Sequence, residues 1–129
     1  MKVAVIGSRG LHIDHLERYL PPETTEIVSG GAKGIDTCAK EYALAHNLKL
    51  TEFRPNYRRY QKAAPLIRNV DIVHYADHIV IFWDGRSHGT YFVIQFCKEE
   101  GDPFTLYQPG ESCPDLHIFD NRHYSLSLY

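Results

Sequence analysis

Short continuous apolar runs alternate along this chain with apolar stripes at helical spacing. KVAVI at 2–6, β-branched and ended by Gly7, predicts a short buried strand. Ile13, Leu16 and Leu20 then fall at helical spacing, and Pro21-Pro22 stops that helix. EIVSG at 26–30 predicts a second strand. Ile35, Cys38, Ala39, Tyr42, Ala43 and His46 mark one face of the next helix, and LKLTEF at 48–53 a third strand. The stretch 54–64 is irregular and basic. Pro65 suits the first turn of a helix, where its missing N–H costs nothing, and Leu66, Ile67, Val70, Val73 and His74 continue a helical face. HIVIF at 78–82 is a fourth strand as apolar as the first. Residues 89–100 form a helix with Phe92, Val93, Phe96 and Cys97 turned inward, and PFTLYQ at 103–108 is a fifth strand.

Strand and helix thus alternate, and the strands are apolar on both faces. That pattern implies parallel pairing, right-handed crossovers and helices on both sides of the sheet. The expected fold is α/β: a small, doubly wound, three-layer, Rossmann-like parallel sheet. It forms a single domain over 1–129, with a core of about 2–108 and a C-terminal extension of about 109–129. In that extension DLHIF and YSLSLY are candidates for short edge strands or a subunit contact.

Composition narrows the partners. The 129 residues suit one hydrophobic core, and nine Tyr, six Phe and one Trp supply it readily. A formal net charge of −2 argues against nucleic acid as the main partner, although a local basic patch remains compatible with it. Cys38, Cys97 and Cys113 are widely spaced and odd in number, with neither a disulfide framework nor a C-x-x-C pattern. MKVAVIGSRG is broken by glycine too early for a signal peptide, and no apolar run approaches the roughly 20 residues of a membrane span. The expectation is a soluble, cytoplasmic protein with no membrane association.

The chemistry is expected where strands end. In open parallel sheets, ligands bind outside the carboxyl ends of the strands, where the strand order reverses. Here GSRG (7–10), SGGAKGID (29–36) and WDGRSHGT (83–90) follow strands one, two and four, and all lead toward helices. A helix N-terminus presents unpaired N–H groups and partial positive charge, and glycine lets an anion approach the backbone. Ser8, Ser29, Ser87 and Thr90 add hydroxyls, and Arg9, Lys33 and Arg86 add charge. The glycines at 30, 31 and 34 are therefore expected to make room for a phosphate. A tight strand-to-helix turn would use Gly30-Gly31 equally, with Asp36 as a first-turn acid; agreement among three loops is what favours a ligand. G-x-G-x-x-G is absent after the first strand and the Walker A pattern is absent throughout, which argues against a standard NAD dehydrogenase or P-loop NTPase.

In order and spacing, VIGSRG, IVSGGAKGID, AAPLIRN and FWDGRSHGT resemble the SLOG superfamily, which includes DNA-processing protein A and the LOG phosphoribohydrolases, and within it the YspA-like or YpsA-related branch. The resemblance runs from about residue 2 to 108. It implies a Rossmann-like sheet that binds nucleotides or nucleotide-derived ligands. It assigns Gly7, Ser8 and Arg9 to the first loop, and Ser29, Gly30, Gly31 and Gly34 to the second, followed by Asp36. Asp84, Gly85, Ser87, Gly89 and Thr90 form the last phosphate-facing turn, and Arg68 and Asn69 match a recurrent Arg-Asn pair. It also suggests a homodimer built on helices flanking the site. One departure matters: the phosphoribohydrolase glutamate position holds Val93, which cannot move protons.

Three functions compete. The first is binding or sensing of a nucleotide-derived small molecule, with phosphate on the Gly30–Gly34 and Gly89–Thr90 helix heads, Arg68 as a forked contact, and Trp83, Tyr57 or Tyr60 as stacking partners for a base. The second is a nucleotide-processing enzyme that hydrolyses an N-glycosidic or phosphoribosyl bond, with Asp84 or Asp36 as acid–base group; an Asx turn is the commoner role for Asp84. The third is single-stranded DNA binding through RPNYRRYQK, where Arg54, Arg58, Arg59 and Lys62 accompany tyrosines. No cofactor is specified beyond such a nucleotide ligand. The pairs His12/His15 and His74/His78 lack partners at metal-ligand spacing, so no metal site is expected; His88 lies on a loop that should face the ligand.

Overall fold

The computed structural model describes residues 1–109 and 116–120. β1 (Lys2–Gly7), β2 (Glu26–Ser29), β3 (Lys49–Glu52), β4 (His78–Phe82), β5 (Phe104–Pro109) and β6 (Leu116–Asp120) form one sheet in the order β3-β2-β1-β4-β5-β6. The pairs linking β3 through β5 are parallel, with β1 meeting β4 in the register Ala4↔Ile79 and Ile6↔Ile81. This is the doubly wound Rossmann-like α/β fold expected from the alternation of elements. β6 departs from it: DLHIF, a candidate for an edge strand or a subunit contact, supplies a strand that pairs antiparallel to β5 (Leu106↔Phe119). The expectations for YSLSLY and Cys113 lie outside the described residues.

The central strands are buried on both faces because successive side chains alternate between two cores. Ala4, Ile6, Ile79 and Ile81 point to one face and meet Ile72 and Val73 of α3 (Ala64–Tyr75) and Val93, Ile94 and Cys97 of α4 (His88–Glu100). Val3, Val5, Val80 and Phe82 point to the other and meet Ile35, Ala39 and Ala43 of α1 (Ile35–Ala45). The result is three layers. Val93 is 1% exposed, a core residue under α4. Residues 54–63 contain the short α2 (Tyr57–Tyr60), capped by the Asn56 side chain accepting from the Arg59 amide at 3.1 Å, and a 3-10 turn at Gln61–Ala63.

The helix expected around Ile13, Leu16 and Leu20 does not form. Only a 3-10 turn, Leu16–Arg18, stands there. His15 before it is left-handed at φ 57°, which breaks helical propagation, and Pro21 follows within a turn. The apolar residues still do what a helix would have done: Leu16 is 2% exposed, and Leu11, Ile13, Tyr19 and Leu20 pack on the α1-side core.

Candidate functional site

The strand order reverses between β1 and β4, so a crevice opens beyond their carboxyl ends. There a cavity of about 320 Å³ is walled by Gly7, Ser8, Arg9, Gly30, Asp36, Arg68, Asn69, Ser87, Gly89 and Thr90. Residues from the three glycine-bearing loops and from the head of α3 thus meet around one space. Ile6, Pro65, Leu66 and Ile72 give it an apolar wall. From the sequence Ile6, Pro65 and Leu66 read as strand or helix-start residues and Ile72 is not singled out; the one available signal is Pro65, which places the start of α3 at this edge. A second cavity of about 350 Å³ shares Arg9, Gly30, Ala32 and Arg68 with the first and adds Gly31, Arg54, Pro55 and Tyr57.

The first loop is tied to the last. Gly7 has no side chain because a Cβ would run into Ile35 and the Phe82 carbonyl. The Ser8 amide donates to the Phe82 carbonyl at 3.0 Å, and the Asp84 amide donates to Ser8 Oγ at 3.1 Å. Asp84 in turn organises its own loop: its Oδ1 accepts from the Arg86 and Ser87 amides at 2.8 Å each, and Ser87 Oγ donates to the carboxylate at 2.9 Å. Partial burial pushes the Asp84 carboxyl up, but these hydrogen bonds outweigh it and hold the group below its ordinary value. That is an Asx-turn role. Asp84 and Gly85 (φ 83°, across from the Gln108 side chain) shape the turn without lining the cavity. Trp83 also lies outside the lining; its Nε1–H donates to the Ser87 carbonyl at 3.0 Å and its ring meets Tyr91.

The glycines of the second loop answer to the protein's own groups. At Gly30 a Cβ would collide with the Arg68 guanidinium, whose Nη1 donates to the Gly30 carbonyl at 2.9 Å while Nε donates to Asn69 Oδ1 at 2.8 Å. At Gly34, φ is 73° and ψ −119°, and a Cβ would strike the Arg9 backbone. Gly31, at φ 74°, faces the Glu52 carboxylate. The loop amides are likewise engaged, Ala32 N–H donating to Asp36 Oδ2 at 3.0 Å and Gly31 N–H to Ser29 Oγ at 3.4 Å. Ser29 is fully buried and, with Lys33 and Gly34, lies outside both cavity linings.

Asp36 is 8% exposed and sits at the head of α1, against the first cavity. Burial raises its carboxyl above the ordinary range, opposed by the Ala32 amide and by the charges of Arg68 and Arg9. A carboxylate therefore already occupies the positive end of α1. The head of α4 differs. Its first intrahelical bond runs from the Tyr91 amide to the Ser87 carbonyl, so the amides of His88, Gly89 and Thr90 precede the ladder, and Ser87 Oγ is turned away to Asp84 instead of capping them. Gly89 and Thr90 open onto the cavity.

Fold and crevice together define a Rossmann-like α/β domain. Residues 1–60 match the model of the YAcAr family, described as the YspA, cpYpsA-related SLOG family. No curated protein matches the chain. Among solved structures it is similar to DNA processing protein A from Streptococcus pneumoniae, at 24% identity and a TM-score of 0.65, over 81% of this chain and 49% of that one. It is also similar to DNA processing protein A from Helicobacter pylori, a structure describing a single-stranded DNA binding mode, at 23% identity and a TM-score of 0.66, over 89% and 68%. At such identity the likeness is one of fold, and the chain spans about half the length of the S. pneumoniae protein.

Proposed function

We propose that this domain binds a nucleotide or nucleotide-derived phosphate ligand in the crevice between the ends of β1 and β4. The observation that carries the reading is the α4 head, where uncapped amides and Thr90 face the same cavity as Ser8 and Arg9. A phosphate placed there meets backbone N–H groups, a positive helix end and an arginine. The α1 head, held by Asp36, is instead suited to accepting hydroxyl hydrogens from a sugar. The apolar wall of Ile6, Leu66 and Ile72 takes the face of a base. Calorimetry against nucleoside monophosphates, ADP-ribose and NAD tests this; no heat with any member of the panel overturns it.

Asp36 also sustains a second reading, hydrolysis of the bound nucleotide, because it is the buried carboxyl against the cavity whose proton affinity is raised. Release of free base or ribose phosphate by the wild type, lost in Asp36→Asn, is the expected signature. Single-stranded DNA binding draws on the H. pylori neighbour and on Arg54 and Tyr57 in the adjoining cavity. A gel shift that fails at low salt, where phosphate contacts are strongest, removes it. A cytoplasmic location is in keeping with the free, buried thiols of Cys38 and Cys97, and no helix among the described residues is long and apolar enough to cross a membrane. A homodimer is the expected assembly, to be measured by sedimentation equilibrium.

A further inference from the structure

A cavity of about 410 Å³ lies between the 12–17 segment and the outer face of α1, sharing no lining residue with the crevice. Cys38 opens onto it. Its Sγ is 3.2 Å from His12 Nδ1, and His12 Nε2 is 3.0 Å from Asp14 Oδ1. Asp14 as a carboxylate only accepts, so Nε2 carries the imidazole hydrogen and Nδ1 presents its lone pair; the Cys38 thiol is therefore the donor in the Sγ–Nδ1 contact. Nucleophile, base and orienting acid stand in sequence, each within hydrogen-bond reach of the next. Neighbouring groups do not compete for the thiol. On the 12–17 segment His15 pairs with Glu17, and on α1 the Tyr42 ring packs on His46 at 4.1 Å, with Glu41 beside them.

We infer that Cys38, His12 and Asp14 form a base-assisted thiol site that reacts with small uncharged hydroperoxides. The carboxylates of Asp14, Glu17 and Glu41 around the opening disfavour anionic electrophiles, and attack on a peroxide needs no oxyanion hole. The thiol proton passes to His12 Nδ1 as Sγ attacks one peroxide oxygen. The O–O bond breaks, and the departing alkoxide or hydroxide takes the proton back from Nδ1. The products are the Cys38 sulfenic acid and an alcohol or water: sulfur is oxidised by two electrons and the peroxide reduced by two. Asp14 holds the ring in the required tautomer and offsets the imidazolium charge. Cys97 offers an internal contrast, since it is fully buried under α4 and burial pushes its thiol up to about 12.

The test uses the whole chain exposed to hydrogen peroxide, with sulfenic acid trapped by dimedone and located by peptide mass spectrometry. Cys38 is expected to react about tenfold faster than Cys97, and His12→Ala to slow Cys38 about tenfold, even though it uncovers the thiol. Asp14→Asn slows it less, by about threefold. Raising the pH narrows the His12→Ala deficit, because hydroxide then removes the thiol proton that the imidazole takes in the wild type. Should His12→Ala react as fast as wild type or faster, His12 merely covers the thiol and the inference falls. It falls also if wild-type Cys38 is no faster than Cys97, a comparison that needs no variant to fold.

Discussion

Replacing Gly34 with alanine isolates the question posed by the glycine-rich second loop, namely whether its glycines serve the protein or a ligand. At φ 73° and ψ −119° the residue lies in the mirror image of the extended region, which an L side chain enters at a cost of about 2 kcal/mol. The added Cβ also meets the Arg9 carbonyl, a backbone group unable to rotate away, for about 2 kcal/mol more. The sum, about 4 kcal/mol, corresponds to a fall in Tm of roughly 15 °C for a domain of this size. Gly30→Ala makes the useful comparison. No positive φ is involved, and the group it strikes is the end of the Arg68 side chain, which can swing into the cavity. Its cost is the charge-assisted bond to the Gly30 carbonyl, about 2 kcal/mol. Urea denaturation monitored by circular dichroism reads both. A Gly34→Ala protein within about 0.5 kcal/mol of wild type, yet unable to bind nucleotide, would refute the packing explanation and return the glycine to a ligand.

Arg9→Ala and Thr90→Val should each weaken nucleotide binding about tenfold in calorimetry with little change in Tm, since each removes one contact from the proposed phosphate seat. Asp84→Asn retains the oxygen that accepts from the Arg86 and Ser87 amides, so any turnover should stay within about twofold of wild type in a base-release assay. For pH dependence the informative group is Glu26, 7% exposed on β2, whose carboxylate accepts from Tyr75 at 2.6 Å and Thr51 at 2.8 Å. Burial pushes its carboxyl up, but those bonds and the Lys49 and Lys2 charges bring it below the ordinary value. A lowered native value means stability that is present above the unfolded-state value and lost as pH falls through the native one. Tyr75→Phe should therefore cost about 2 kcal/mol at pH 7, and the difference from wild type should shrink in melts as the pH falls through the lowered native value of Glu26.

Much of this architecture is written locally. After Lys2 and His78, VAVI and IVIF lack polar positions because β1 and β4 are covered on both sides, and that continuity predicts central parallel strands. Pro65 near the start of α3 and the glycines after β1, β2 and β4 likewise mark their own positions, so the ends of the elements were legible to within a residue or two. The segment after β1 was not, because Ile13, Leu16 and Leu20 satisfy a helical stripe and an irregular apolar cover equally well; packing on the α1-side core decides between them.

The sequence by itself determined the order of β1 to β5 and of the helices α1, α3 and α4, and hence the edge of the sheet at which chemistry gathers, because periodicity and chain-breaking residues act within a turn or a strand. Only the tertiary structure decided what the glycines at 30 and 34 accommodate. Their neighbours, Arg68 and the backbone at Arg9, lie 38 and 25 residues away along the chain and approach through the doubly wound topology. The same holds for Cys38 and His12, 26 residues apart, whose contact no local pattern encodes. A missing Cβ is the same mark in a sequence whether the space it leaves is filled by a ligand's phosphate or by the protein's own guanidinium, and that occupant is fixed only when distant segments are packed together.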